Sequence, residues 1–142
     1  MRSASKVYAV DPAMFGAFSP ASALDQGQRL ETAVFNALRR RTPAVRVGSV
    51  CRLLIKEKSK NHEVDFVAGD ALLMRAYSLI QVSVDMASEK TREREIAALD
   101  ASMAQFDLGE SAIVTMDEQA DIPCEHGVVP VSYTHLTLPT KL

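Results

Sequence analysis

A single apolar stripe of helical period runs through residues 30–38 and limits the folds that this chain can adopt. The spacing of three and four residues places five apolar side chains on one helix face: Leu30, Ala33, Val34, Ala37 and Leu38. The pattern predicts a helix with Asp25 as its candidate N-cap and with Pro43 as its stop. A helix that is apolar on one side only must cover that side, so the chain needs a sheet or another helix as a second layer.

Two strand patterns around a polar turn follow this helix. Residues 51–57 and 63–68 flank the turn at residues 58–61, which predicts a β-hairpin. Side chains alternate along a strand, so the second strand is predicted to divide its residues between two faces. The two sets are Val64, Phe66 and Ala68 on one face and Glu63, Asp65 and Val67 on the other.

Further periodic segments complete the prediction of an α/β fold. They predict strands at residues 6–10, 78–84, 111–116 and 127–131 and a second helix at residues 89–106. Gly109 is expected to cap that helix, whose inner face should carry Ile96, Leu99, Met103 and Phe106. The order of these elements indicates one domain, a mixed sheet flanked by helices.

The length and composition agree with one globular domain. The chain has 142 residues, of which 47% are hydrophobic and 24% charged. The apolar run at residues 7–10 is too short for a signal peptide, and no run approaches the roughly 20 residues of a membrane-spanning helix.

Cys51 and Cys124 form no CxxC unit, which favours buried free thiols in a reducing compartment and hence a cytoplasmic location. His62 and His126 have no partner at a metal-ligand spacing and are expected to be surface or loop residues.

The net charge of −2 conceals a basic segment. Residues 29–60 contain nine Lys or Arg and two Glu, so they carry +7 while the rest of the chain carries −9. Such a segment attracts nucleic-acid phosphates even on an acidic protein, although a solvated helix end and hairpin would show the same pattern. The candidate DNA contacts are Arg39, Arg40, Arg41, Lys56, Lys58 and Lys60.

Polar residues on three neighbouring elements predict a small pocket. Glu31 lies at the edge of the helical stripe, and Asp65 lies in the second hairpin strand. Gln81 and Ser83 are two residues apart on the next strand and should point the same way. Oxygen atoms placed together in this way suit a hard divalent cation. The alternatives are a Glu31 ion pair with Arg29 or a hairpin lysine, an Asp65 that accepts hydrogen bonds from a neighbouring loop, and a Gln81 that is a satisfied polar group between the sheet and a helix.

Several segments together resemble one known family. They are KVYAVDPAMFGAF at residues 6–18, GQRLETAVFNALRRR at 27–41, NHEVDFVAG at 61–69, LIQVSVD at 79–85 and TREREIAALDAS at 91–102. This combination is similar to the C-terminal domain of a large family of prokaryotic AAA-type ATP-binding proteins. That domain is related to the PD-(D/E)XK, or restriction-endonuclease-like, nuclease fold. The resemblance covers about residues 6–131.

The same resemblance bears on what surrounds the domain. The chain contains no GxxxxGK[ST] phosphate loop, so the resemblance implies that the ATP-binding module precedes residue 1 and that the chain is a C-terminal fragment. Residues 1–131 would form the nuclease-like domain. Residues 132–142 are Thr-rich, lack acidic residues and resemble translated adapter DNA. They are expected to be a non-native tail, with a native β-rich tail as the alternative.

Carried over by position, the nuclease pattern implies roles for four residues. Glu31 matches the helix acid and Asp65 the hairpin acid, and in an active enzyme of this fold the strand acids hold Mg²⁺ or Mn²⁺. Gln81 stands where the (D/E)-x-K motif has its acid and Ser83 where it has its lysine, so an anionic ligand and a cation are missing. One such electrostatic loss costs about 10²–10³ in rate. The resemblance therefore predicts a degenerate catalytic site, unless Asp85 supplies a further carboxylate.

The predicted function is a non-catalytic nuclease-like module that docks to an AAA-type ATPase or binds double-stranded DNA. Two alternatives remain open. One is an active divalent-metal-dependent DNA nuclease that uses Glu31, Asp65 and Asp85. The other is a purely structural protein-interaction domain.

Overall fold

A six-stranded mixed sheet with a helix on each face forms the centre of the protein. The computed structural model describes residues 6–14, 23–41, 50–56, 60–70, 73, 75–109 and 111–133, with side chains from residue 26 onward in the first helix. The elements in chain order are α1 (Ala23–Arg41), β1 (Val50–Lys56), β2 (Asn61–Asp70), β3 (Arg75–Val82), α2 (Glu89–Phe106), β4 (Ala112–Thr115), β5 (Ala120–Cys124) and β6 (Gly127–Tyr133).

The order of the strands explains why the sheet is mixed. Across the sheet they run β1-β2-β3-β4-β6-β5. β4 is parallel to both β3 and β6, whereas the other neighbouring pairs are antiparallel. Adjacent parallel strands need a crossover connection, which α2 supplies between β3 and β4. The predicted α/β fold with a mixed sheet is thereby confirmed.

The two helices bury their apolar stripes in two separate clusters, one on each face of the sheet. The α1 cluster consists of Leu30, Val34, Leu38, Phe66, Ile80, Ala112 and Val114. The α2 cluster consists of Ala98, Leu99, Met103, Val64, Val67, Leu79, Met86, Ile113, Val129 and Val131. Both predicted stripes are confirmed, with Ile96 and Phe106 partly buried beside the second cluster. Neither helix in the described part of the chain is long and apolar enough to span a membrane.

A β-bulge in β2 changes which residues share a face. Leu53 pairs with Val64 and Cys51 with Val67, so a step of two residues on β1 opposes a step of three on β2. Because of the extra residue, Val64 and Val67 both pack on the α2 side while Phe66 packs on the α1 side. The prediction that Val64 and Phe66 share a face is therefore wrong, since strict alternation holds only without a bulge.

The N-terminal segment lies against α1 and is not a strand. Residues 6–9 have no strand pairing, and Val7 and Val10 are each 86% exposed. The side-chain amide of Asn36 donates to the backbone oxygens of Ala9 and Val10 at 3.0 and 2.9 Å. The predicted buried strand at residues 6–10 is therefore wrong, because this apolar run gains no neighbouring strand in the sheet.

Several element ends differ from the prediction. α1 begins at Ala23, so Asp25 lies inside its first turn and not at the N-cap. α2 ends in a left-handed residue, Asp107 (φ 54°), whose N–H donates to the Met103 oxygen, so the predicted Gly109 cap is wrong. β6 continues to Tyr133, two residues beyond the predicted strand end. Pro43, Lys58 and residues 134–142 lie outside the described residues.

Two further features were not predicted. β5 is an edge strand that contains Pro123, a residue compatible with an edge because its missing N–H faces away from the ladder. Both cysteines are free thiols, but Cys51 is exposed on the edge strand β1 and Cys124 is half-buried. The expectation of a buried thiol is thus wrong for Cys51.

Candidate functional site

Asp65 lies at the bulge of β2, where its backbone N–H and its carboxylate both form hydrogen bonds with β3. Its backbone N–H donates to Oε1 of Gln81 at 3.1 Å, and its Oδ2 accepts the N–H of Val82 at 2.9 Å. Two side chains thus supply hydrogen bonds that the backbone ladder would otherwise make. The structure brings Asp65 and Gln81 together, as the sequence predicted.

The side-chain amide of Gln81 forms hydrogen bonds through both its oxygen and its nitrogen. The side chain is buried, with 6% exposure, and while its oxygen accepts from Asp65, its Nε2 donates to the carboxylate of Glu95 on α2. Glu95 is equally buried and also accepts from Nε of Arg94 at 3.1 Å. Gln81, which lies on β3, therefore links β2 to α2 through its side chain.

Sequence reasoning did not identify Glu95, although a signal was present. Glu95 precedes Leu99 by four residues and therefore lies on the same face of α2 as the predicted inner residues. A carboxylate on a buried helix face needs a hydrogen-bonding or charged partner. Reading the helical phase for polar residues as well as apolar ones would have found it.

Glu31 faces the N-terminal segment. Its Oε1 accepts from Nζ of Lys6 at 2.7 Å and from the hydroxyl of Tyr8 at 2.7 Å. Burial, and then the hydrogen bond to Glu31, raise the pKa of Tyr8 well above its ordinary value. An ion pair was one of the alternatives for Glu31, but its cation is Lys6, not Arg29 or a hairpin lysine.

A cavity of about 240 Å³ lies beside these acids. Its lining residues are Lys6, Tyr8, Phe35, Val50, Cys51, Arg52, Asp65 and Phe66. Three of its aromatic rings are in contact, with the Tyr8 and Phe35 rings stacked at a centroid distance of 4.3 Å. The cavity therefore has an aromatic wall and charged groups of both signs.

The carboxyl group of Asp65 is hard to ionise in this setting. Burial raises its pKa to about 6, and the nearby charge of Glu31 acts in the same direction, while the Val82 N–H and Lys6 act against it. Tyr8, which donates to Glu31, lines the same cavity as Asp65, so the two predicted acids do belong to one region.

Ser83 does not join this group. The predicted strand continued to residue 84, but β3 ends at Val82, and the Ser83 hydroxyl donates to the backbone oxygen of Asp85 at 3.1 Å. Asp85 is exposed and accepts the N–H of Ala87 at 2.7 Å. Because the strand ends early, the alternation that was to align Ser83 with Gln81 no longer applies.

These acids do not fit a bound Mg²⁺ or Mn²⁺ ion, which the resemblance would place there. Such ions prefer several oxygen ligands. Here Oε1 of Glu31 accepts from an ammonium group and a hydroxyl, Oδ2 of Asp65 accepts from a backbone N–H, and Oε1 of Gln81 accepts from the Asp65 N–H, so three of the oxygens that could hold an ion already have hydrogen-bond partners.

The predicted DNA contacts are on the surface where the structure describes them. Arg39, Arg40 and Arg41 are exposed in the last turn of α1, and Lys56 and Lys60 are exposed on either side of the β1–β2 turn. Lys58 is outside the described residues.

A second group of polar side chains lies at the other edge of the sheet. Within the described ranges, one potential ligand atom from each of Asp100, Glu125 and His126 lies within 4.8 Å of the other two. His126 is in the β5–β6 turn, as expected for a loop residue, but its partner on α2 was not predicted. No sequence spacing connects residues 100 and 126, which meet only when the hairpin folds against the helix.

Comparisons with protein-family models, with curated proteins and with solved structures found no match to this chain.

Proposed function

We propose that this domain is a non-catalytic, restriction-endonuclease-like module that binds double-stranded DNA as part of, or beside, an AAA-type ATP-binding protein. The family resemblance of the sequence and the chemistry of the Asp65 site both support this function. Loss of catalysis and binding of phosphate are separate properties of the domain, carried by different residues.

The observation that carries the loss of catalysis is the double hydrogen bonding of Gln81. At this position the nuclease pattern has an acid that would hold a metal, whereas Gln81 connects the Asp65 N–H to the buried carboxylate of Glu95. The Lys6 ammonium on Glu31 supplies a positive charge where a metal ion would otherwise be needed. Gln81 and Lys6 thus stand where an active site would need an anionic ligand and a metal cation, which supports a site that works without a divalent ion.

The basic segment supports DNA binding. Arg39 and Arg40 are exposed at the C-terminal end of α1, and Lys56 and Lys60 are exposed at the hairpin. Exposed cations of this kind displace the counterions of DNA phosphates, which makes affinity depend strongly on salt.

A salt titration of binding to a short fluorescent DNA duplex tests this part. We expect the logarithm of affinity to fall linearly with the logarithm of salt concentration. The double variant R39Q/R40Q should bind more weakly and should reduce the magnitude of the slope by about 1 to 2. The matched control is R75Q/K90Q, which removes the same charge from two exposed residues that lie outside the basic segment at residues 29–60. Equal losses in the two double variants, or an affinity insensitive to salt, would exclude the proposed contacts.

Incubation with plasmid and Mn²⁺ tests the loss of catalysis. We expect no cleavage by the wild-type protein beyond that of D65A. Cleavage that D65A lacks would instead establish an active nuclease. A protein that binds no duplex even at low salt would favour the structural protein-interaction domain.

A further inference from the structure

The C-terminal half of α2 meets the turn between β5 and β6 through three side chains that can bind metal. Asp100 comes from the helix, and Glu125 and His126 form the turn. Oδ1 of Asp100 accepts the backbone N–H of His126 at 2.8 Å, and its Oδ2 lies 3.1 Å from Nδ1 of the same histidine. The first contact is a hydrogen bond that fixes the turn against α2. The second places two atoms that can bind metal, Oδ2 of Asp100 and Nδ1 of His126, next to each other.

The separation of these atoms suits a zinc ion. Zn²⁺ binds imidazole nitrogen and carboxylate oxygen at about 2.0–2.2 Å, which in a tetrahedron puts neighbouring ligand atoms about 3.3–3.6 Å apart. The 3.1 Å between Oδ2 of Asp100 and Nδ1 of His126 is slightly below that range, so a small side-chain rotation would admit the ion. An ion at this point would replace the hydrogen bond between these two atoms.

The types of donor also favour zinc over the ions of nuclease chemistry. Imidazole nitrogen suits zinc and other late transition metals, whereas Mg²⁺ and Ca²⁺ prefer oxygen ligands only. One nitrogen and two carboxylates form a three-ligand set that leaves a fourth position for water. The ligand atoms are accessible, because Glu125 and His126 are exposed and Asp100 is partly so.

We propose that Asp100, Glu125 and His126 form a zinc-binding site that ties the β5–β6 hairpin to α2. The ion neutralises two carboxylates that approach one another and joins a helix to an edge hairpin. This site shares no residue with the proposed DNA surface or with the Asp65 region, so either proposal can fail without the other.

Isothermal titration with Zn²⁺, after EDTA treatment and dialysis, tests the site directly. We expect one equivalent to bind and to raise the melting temperature, and an excess of Mg²⁺ to leave that binding unchanged. H126Q should weaken zinc binding by about tenfold or more. It keeps the backbone N–H that donates to Asp100, so the turn should still fold. H62Q, which removes the histidine of β2, is the matched control and should bind zinc as the wild type does.

D100N is the second test, with circular dichroism to show that it is folded. It should also lose zinc affinity, and if it fails to fold, H126Q alone decides. Equal zinc affinity in the wild type, H126Q and H62Q would overturn the proposal. So would binding without a rise in melting temperature, because the ion would then not link the hairpin to the helix.

Discussion

Replacing Asp65 with asparagine removes a charge from the cavity beside α1 and leaves the shape of the side chain almost unchanged. The amide oxygen can still accept the N–H of Val82, which Oδ2 of Asp65 now accepts at 2.9 Å. D65N therefore isolates the cost of keeping a carboxylate ionised at this position.

The magnitude follows from the pKa of Asp65. Burial raises that pKa from its ordinary value of 3.8 to about 6, so the folded protein holds the proton more tightly than the unfolded chain does. A difference of about two pKa units corresponds to about 3 kcal/mol. Asp65 is partly exposed to the cavity, where solvent screens the charge, so we expect D65N to raise the free energy of unfolding by about 1–3 kcal/mol at pH 7.5.

The sign of the pH dependence is equally specific. A folded-state pKa above the unfolded value means that the stabilisation from the protonated acid is complete below pH 3.8 and is lost by about pH 6. The advantage of D65N should therefore be near zero at pH 3.5, grow between about pH 4 and 7 as the pH passes through the folded-state pKa, and stay constant above that. Urea unfolding of both proteins across this range measures the difference, in which titrating groups that do not interact with Asp65 cancel.

D65A is the control for the hydrogen bond. It leaves the Val82 N–H without its acceptor, which costs about 1–3 kcal/mol, so D65A should be less stable than D65N at every pH. A D65N protein that is less stable than the wild type at pH 7.5 would refute the reasoning. A difference between the two that does not change with pH would refute it as well.

Three other substitutions test the packing around the site. Q81E places a second carboxylate against the buried Glu95 and should lower the free energy of unfolding by about 3–5 kcal/mol at neutral pH, measured by urea unfolding. G69A adds a Cβ that overlaps the backbone of the facing strand and should cost about 1–3 kcal/mol, whereas the control G109A, which meets no described atom within 4 Å, should be nearly neutral. L99A truncates a fully buried side chain of α2 and should cost about 2–5 kcal/mol in the same assay.

The helices and the central strands could be predicted because their signals are local. The stripe from Leu30 to Leu38 and the inner residues Leu99 and Met103 repeat with the helical period, and a one-sided apolar helix has few ways to be buried. The hairpin followed from two strand patterns around a polar turn. In each case the information lies within about ten consecutive residues.

The relative positions of distant residues could not be predicted in the same way. The bulge at Asp65 depends on how β2 pairs with both of its neighbours, and it turns Phe66 away from Val64. The short, Pro-containing β5 is a strand only because β6 lies beside it. Residues 6–10 have the composition of a strand, yet they contact α1 because the sheet offers them no partner.

Amino-acid order alone was sufficient for the α/β class and for the faces that the helices bury, since each depends on a short repeating pattern. The three-dimensional arrangement added the partners: Lys6 for Glu31, Glu95 for Gln81 and Asp100 for His126. The physical reason is that periodicity specifies which way a side chain points along its own element. Electrostatic and hydrogen-bond partners, by contrast, come from segments far away in the chain, and they meet only after the elements have packed.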